Sequence, residues 1–388
     1  MPVKNRFAEL LPEVTEWRRH LHAHPELMYD VEGTAAFVVQ QLTASGVDDI
    51  TTGIGRTGVV ATIKGKSDSK GRVIGLRADM DALPITEATG LPYASTVPGK
   101  MHACGHDGHT SMLLGAAKYL SETRNFDGTV VLIFQPAEEG GAGGKAMCED
   151  GLMDRWGIQE VYGMHNMPGI PTGEFAIREG ALLASSDEFE IIVTGKGGHA
   201  AAPHMAVDTT LVASQIVVSL HSIVSRTVDP VKRVVLTVGT FETDSVASNV
   251  IAHTARLNGT VRTLDPEYRA IVEDRVRRVA EDTASAFGAT AKVIWTPGYP
   301  VTINTPDETV YAAEAAKAVA GRVIDNIDPI MPSEDFAYML EERPGAYIFV
   351  GNGDTAMCHH PEYNFDDDVI PAGCSWFAEI VERRMPAA

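Results

Sequence analysis

The sequence predicts an α/β protein in which a mostly parallel sheet flanked by helices is interrupted by a separate α+β insert. Near-continuous apolar runs such as TVVLIFQ (129–135) and AYIFVG (346–351) have the pattern of strands buried on both faces. Stretches of helical periodicity alternate with them, as in a parallel sheet whose crossovers are helices. Between them, IAHTARLNGTVR (251–262) alternates polar and apolar residues, as a half-exposed antiparallel strand should. A chain of 388 residues is also long for one hydrophobic core, so two domains are expected.

From residue 4 to about 45, apolar residues recur at three- and four-residue spacing, predicting helix. TGVVATIK (57–64) and RVIGLR (72–77) are dense in β-branched residues and read as strands. A helix follows over 107–123, then the 129–135 strand, then VYGMH (161–165). The middle section reads as strand 188–195, helix 207–225, strands 234–241 and 251–262, helix 265–287 and strand 291–295. That β-α-β-β-α-β order is a ferredoxin-like unit. Gly or Pro interrupts the pattern near Glu179 and Thr296, so the expected domains are 1–179, an insert at 180–295, and 296–388.

Composition narrows the function classes. There are 52 acidic against 32 basic residues, a net charge of −20, and no basic run to neutralise phosphates. Nucleic acid and anionic membrane are therefore not expected partners. The first residues lack an apolar signal-peptide core, and no stretch approaches the ~18–20 apolar residues needed to span a bilayer. Four cysteines without framework spacing suggest reduced thiols, and a cytoplasmic location is the expectation.

The chemistry lies where polar residues fall relative to the strands. Asp79 and Asp81 follow RVIGLR, Glu138 and Glu139 follow VVLIFQPA, and His165 ends VYGMH. Ligands of open α/β sheets bind outside the carboxyl ends of the strands, so these groups should share one rim. HACGHDGH (102–109) adds Cys104 and His106 before a helix, and CHHP (358–361) adds His359 and His360. Cys104, His106, Glu139, His165 and His360 read as one two-metal donor set. Such a mixture of thiolate, imidazole and carboxylate suits Zn, Mn, Co or Ni without choosing between them. Glu138, beside the glutamate donor, is the candidate general base for a metal-activated water. A nucleophilic Cys104 is the weaker reading, because His106 two residues away fits shared coordination better. GGAGGK (140–145) fails as a phosphate loop, and neither HExxH nor GxSxG occurs. His20, His22 and His24 read as structural.

RADMDALP, HACGHDGH, QPAEEG, GMHNMP, GKGGHAAAPH, SEDF and the final HHP resemble the M20 metallopeptidase family. They are most similar to its amidohydrolase branch, which includes hippurate, N-acyl-amino-acid and indole-3-acetyl-amino-acid hydrolases. The resemblance runs along essentially the whole chain. It implies a di-metal exopeptidase-like domain carrying a lid, and two divalent ions bridged by Cys104. His106 and His165 would complete one site, and Glu139 with His360 the other. Glu138 would be general base and acid, and Asp81 would orient a ligand. Asp79 stands where other branches carry a ligand histidine, which leaves its role open. The resemblance also implies a homodimer or homotetramer in which His199, on the insert, polarises the scissile carbonyl. Asn249 and Arg262 are candidates for the substrate carboxylate. The implied substrate is an N-acyl amino acid; the rival readings are a dipeptidase or aminopeptidase, and a non-catalytic metal-binding protein.

Overall fold

The computed structural model describes residues 5–387; residues 1–4 and 388, including the start of the expected first helix, lie outside the described residues. The described chain forms two compact units. One comprises the chain up to Leu182, Ile303–Asp328 and Asp335 onward; the other is Leu183–Thr302 with Pro329–Glu334.

The first unit is built on an eight-stranded sheet. Its four central strands, in spatial order Thr129–Gln135, Val73–Asp79, Glu160–Met167 and Gly345–Gly351, are parallel. Nearly every residue in them is buried, which is why their sequences are apolar on both faces. Antiparallel pairings appear toward the edges, at Gly58–Lys64 and Asp49–Ile54 on one side and Phe175–Ile177 on the other. One core joins this sheet to helices Asn5–Ala23, Glu32–Ser45, His106–Thr123, Pro306–Val319 and Ile370–Arg384. Because the central strands run the same way, the segments leaving their carboxyl ends gather at one rim.

The first helical stretch is two helices rather than one. Pro25 lacks a backbone donor and disfavours continued helix. Leu27 instead pairs with Ala82, and the Ala82 N–H donates to the Glu26 carbonyl at 2.8 Å. The chain after Asp79 is thereby fastened to the amino-terminal segment.

The second unit has strands Ser185–Thr194, Val234–Thr243, Thr254–Thr263 and Thr290–Pro297, all paired antiparallel. Helices Thr209–Arg226 and Pro266–Ala286 pack on the sheet through Ile216, Leu220, Val272 and Val276. Asp208 and Asp265 cap them by accepting backbone N–H groups. The connectivity is ferredoxin-like, as expected. No helix among the described residues is long and apolar enough to cross a membrane.

Candidate metal centre

Two donor groups share one sulfur. Cys104, His106 and His165 have ligand atoms within 4.8 Å of one another, and so do Cys104, Glu139 and His359. Cys104 sits in the loop before the His106–Thr123 helix, whose capping residue is Gly105 with φ +87°. A Cβ at Gly105 would stand 2.3 Å from the Asn166 amide nitrogen and 2.4 Å from the Tyr363 hydroxyl. Only glycine lets the loop turn here while Asn166 donates to the Cys104 carbonyl at 2.6 Å.

The two imidazoles are oriented alike. His106 Nδ1 lies 2.8 Å from the Asp81 carbonyl, and His165 Nδ1 lies 2.6 Å from the Asn166 carbonyl. Each Nδ1 then carries the proton, and each Nε2 offers its lone pair to the site, the arrangement by which ligand histidines are held. His165 Nε2 is 3.4 Å from Cys104 Sγ. Burial, with nearby His109 next, holds His165 well below its ordinary pKa and so neutral. Burial also opposes a charge on His106, but Asp79, Asp81 and Glu139 outweigh it and raise that group to about 10, so its Nε2 carries a proton that a bound cation would displace to use the lone pair.

The carboxylates are placed by Asp81. Its two oxygens accept the backbone N–H groups of Glu138 at 3.0 Å and Glu139 at 3.1 Å. Asp81 thus ties the Glu138–Glu139 turn to the chain that also orients His106. Glu139 Oε1 is 3.9 Å from His106 Nε2 and 3.3 Å from His359 Nε2.

The donor set fits divalent cations. His106 Nε2 is buried and makes no hydrogen bond, a costly state that a cation shared with the Glu139 carboxylate would relieve. The Cys104 thiol is pushed well up by its contact with Cys358, by burial and by Glu139 and Glu138. A thiolate at that position therefore calls for compensating positive charge. One sulfur common to both groups has the chemistry of a bridging ligand.

One sequence assignment is corrected. His359, not His360, is the histidine brought to the donor set. The His359 N–H donates to the Ala103 carbonyl at 2.7 Å, and its backbone is left-handed at φ +69°. That carries its ring to Glu139, while the exposed His360 accepts the Glu362 N–H on Nδ1 at 3.1 Å and joins neither group. Adjacent side chains of a non-helical segment point apart, so only one could face the site.

Asp79, His106 and His109 form another compact group, but Asp79 and His109 are already engaged. Asp79 binds Arg77 at 2.6 Å and His109 at 2.7 Å, and His109 Nε2 accepts the Asn166 N–H at 2.9 Å. This group supports the centre rather than holding an ion. Arg77 also reaches Asp335 at 3.0 Å; its signal in the sequence is a basic residue within the otherwise apolar start of the strand VIGLRAD. Asn166 and Tyr363, bonded at 2.7 Å, carried no such signal.

In the second unit, His199 and Asn249 lie side by side. The two-residue strand Gly198–His199 pairs with Val250–Ile251, and the Ala200 N–H donates to the Asn249 carbonyl at 3.0 Å. Both line an open cleft of about 530 Å³ with Asp244 and His253. Arg262 is half-buried on the Thr254–Thr263 strand and donates to Ser333 Oγ at 3.0 Å.

A parallel sheet with this donor set and an adjoining acid at its rim defines a class of hydrolases that activate water on metal ions. The sequence profile of Peptidase family M20/M25/M40 matches residues 75–383. The chain belongs to that family. It is 42% identical over 375 residues to the hippurate hydrolase of Campylobacter jejuni, covering 96% of each chain. It is 44% identical over 367 residues to the N-acetyl-L-cysteine deacetylase of Bacillus subtilis, covering 94% of this chain and 86% of that one. The YXEP protein of Bacillus subtilis, a solved dinuclear metal binding peptidase of the M20 family, superposes with a TM-score of 0.86 at 35% identity. That superposition covers 98% of this chain and 100% of the other.

Proposed function

We propose that this chain hydrolyses N-acyl or N-aroyl amino acids to a carboxylic acid and a free amino acid. The observation that carries this reading is the pair of donor groups meeting at Cys104, with Glu138 directly beside Glu139. His106 and His165 would hold one divalent ion, and Glu139 and His359 the other, with Cys104 between them. When bound, the ions would acidify a water and polarise the amide carbonyl. Glu138, buried and held by its backbone N–H on Asp81, takes the water's proton and returns it to the leaving nitrogen. Such a proton transfer contributes roughly 10²–10⁴ in rate.

His199 is assigned to stabilising the developing oxyanion, and Asn249 and Arg262 to the substrate carboxylate, for which guanidinium geometry is suited. The activities named for the Campylobacter and Bacillus relatives support an acyl amino acid over a free peptide. The ions are Mn, Zn, Co or Ni, the assembly a homodimer or homotetramer, and the location cytoplasmic. Turnover of benzoyl-glycine, N-acetyl-cysteine, an indole-acetyl conjugate and glycyl-glycine tests the reading with each metal added. Cleavage of the acyl conjugates is expected. Preference for glycyl-glycine would make the enzyme a dipeptidase instead, and no cleavage of any of them would leave a metal-binding protein.

A further inference from the structure

Cys358 is outside both donor groups, yet it lies against Cys104, whose sulfur those groups share. The segments bearing Cys104 and Cys358 are joined by the backbone bond from His359 N–H to the Ala103 carbonyl. Cys104 and Cys358 directly adjoin the two residues of that bond, which sets them side by side, and a disulfide tolerates Cα atoms up to ~7 Å apart. Cys358 Sγ is 4.0 Å from the Cys104 carbonyl oxygen, and the two thiols are close enough to shift each other's titration in opposite directions. Cys104 is buried whereas Cys358 is partly exposed, so one member of the pair meets solvent. The other two cysteines, Cys148 and Cys374, are buried.

We propose that Cys104 and Cys358 form a peroxide-sensitive thiol pair that closes to a disulfide when the centre lacks its ions. Hydrogen peroxide oxidises one thiol to a sulfenic acid, breaking the O–O bond and releasing one water. The second thiol then attacks that sulfur, forming the S–S bond and expelling the remaining oxygen as a second water. Two thiols lose two hydrogens and two electrons in all, and peroxide becomes two waters. The disulfide removes the anionic sulfur common to both donor groups, so neither ion can return until a dithiol reduces the bond. Ion binding engages Cys104 and protects it. This protective step rests on the metal-centre reading, whereas closure of the pair does not.

The test uses the full chain, stripped by chelator or loaded with Mn²⁺, alongside Cys358→Ser treated in the same ways. After peroxide, digestion and mass spectrometry follow the peptide linking Cys104 to Cys358, and metal analysis follows Mn²⁺ uptake before and after dithiothreitol. The stripped chain should gain the link, lose Mn²⁺ uptake and recover it with dithiothreitol. The loaded chain should gain little link. Cys358→Ser should form none and should bind Mn²⁺ normally before oxidation. Absence of the link in the stripped chain overturns the proposal, and so does equal linking in the loaded chain. Failure of the untreated chain to bind Mn²⁺ would sink the metal-centre reading alone, since the link is still scored by mass.

Discussion

Asp81→Asn removes one negative charge and one acceptor without changing the side chain's size. Asp81 is buried at 1% exposure, and each of its oxygens accepts one N–H, from Glu138 and from Glu139. An asparagine keeps a single oxygen, so its NH₂ must face one of those N–H groups, donor against donor. A hydrogen bond to a charged group contributes about 1.5–3 kcal/mol, and a buried N–H left unpaired costs a similar amount. The two figures describe the same broken bond, so the turn should weaken by about 2–3 kcal/mol. Loss of a partner that orients a metal ligand typically costs about 10- to 100-fold in affinity or activity, which is about 1.4–2.7 kcal/mol. The two routes agree. His106 keeps its 2.8 Å bond to the Asp81 backbone carbonyl and loses only the carboxylate oxygen 3.4 Å from the same nitrogen, so the larger loss should fall on the ion held by Glu139 and His359. Stepwise metal titration with kcat/KM on benzoyl-glycine measures it. Asp81→Asn with the second ion's affinity and kcat/KM both within about twofold of the unsubstituted chain would refute the reasoning.

Glu138→Gln should retain both ions and lose roughly 10²–10⁴ in kcat; metal analysis finding that variant stripped would show Glu138 to be a ligand instead. His359→Ala should bind one ion fewer, whereas His360→Ala should bind the full complement, as counted by elemental analysis of the dialysed proteins. His22 offers a pH signature. Burial disfavours its charge, but Asp107 at 2.8 Å and Glu87 overcome this and raise it to about 9 from an ordinary 6.5. Its stabilisation is therefore complete below about pH 6.5, fades above that and is gone beyond about pH 9. Melting scans should show His22→Gln well below the parent chain at pH 6 and level with it at pH 10; a deficit that is the same at both would contradict this.

Much of the centre was legible because its donors sit in short segments that follow recognisable strands. TVVLIFQ and RVIGLR read as strands, and Glu138 and Glu139 must then emerge after the first and Asp81 after the second. Cys104 and His106 were legible for a related reason, since two donor types flanking a glycine before a helix suit a rim. Pattern failed where two equivalent residues competed. His359 and His360 are the same side chain one position apart, and only the hydrogen bond to Ala103 selects between them. It failed too for Asn166, whose side chain bonds Cys104 and Tyr363, residues remote in sequence.

The sequence by itself determined the sheet, the ferredoxin-like second unit and the kinds of donor available, because hydrophobic periodicity and ligand chemistry are local properties of the chain. Tertiary structure alone decided which histidine faces Glu139, which buried acids are engaged by Arg77 and His109, and that Cys358 lies against Cys104. Those outcomes depend on contacts between segments as far apart as residues 104 and 358. No local pattern encodes them, since the packing of the whole unit sets which atoms meet.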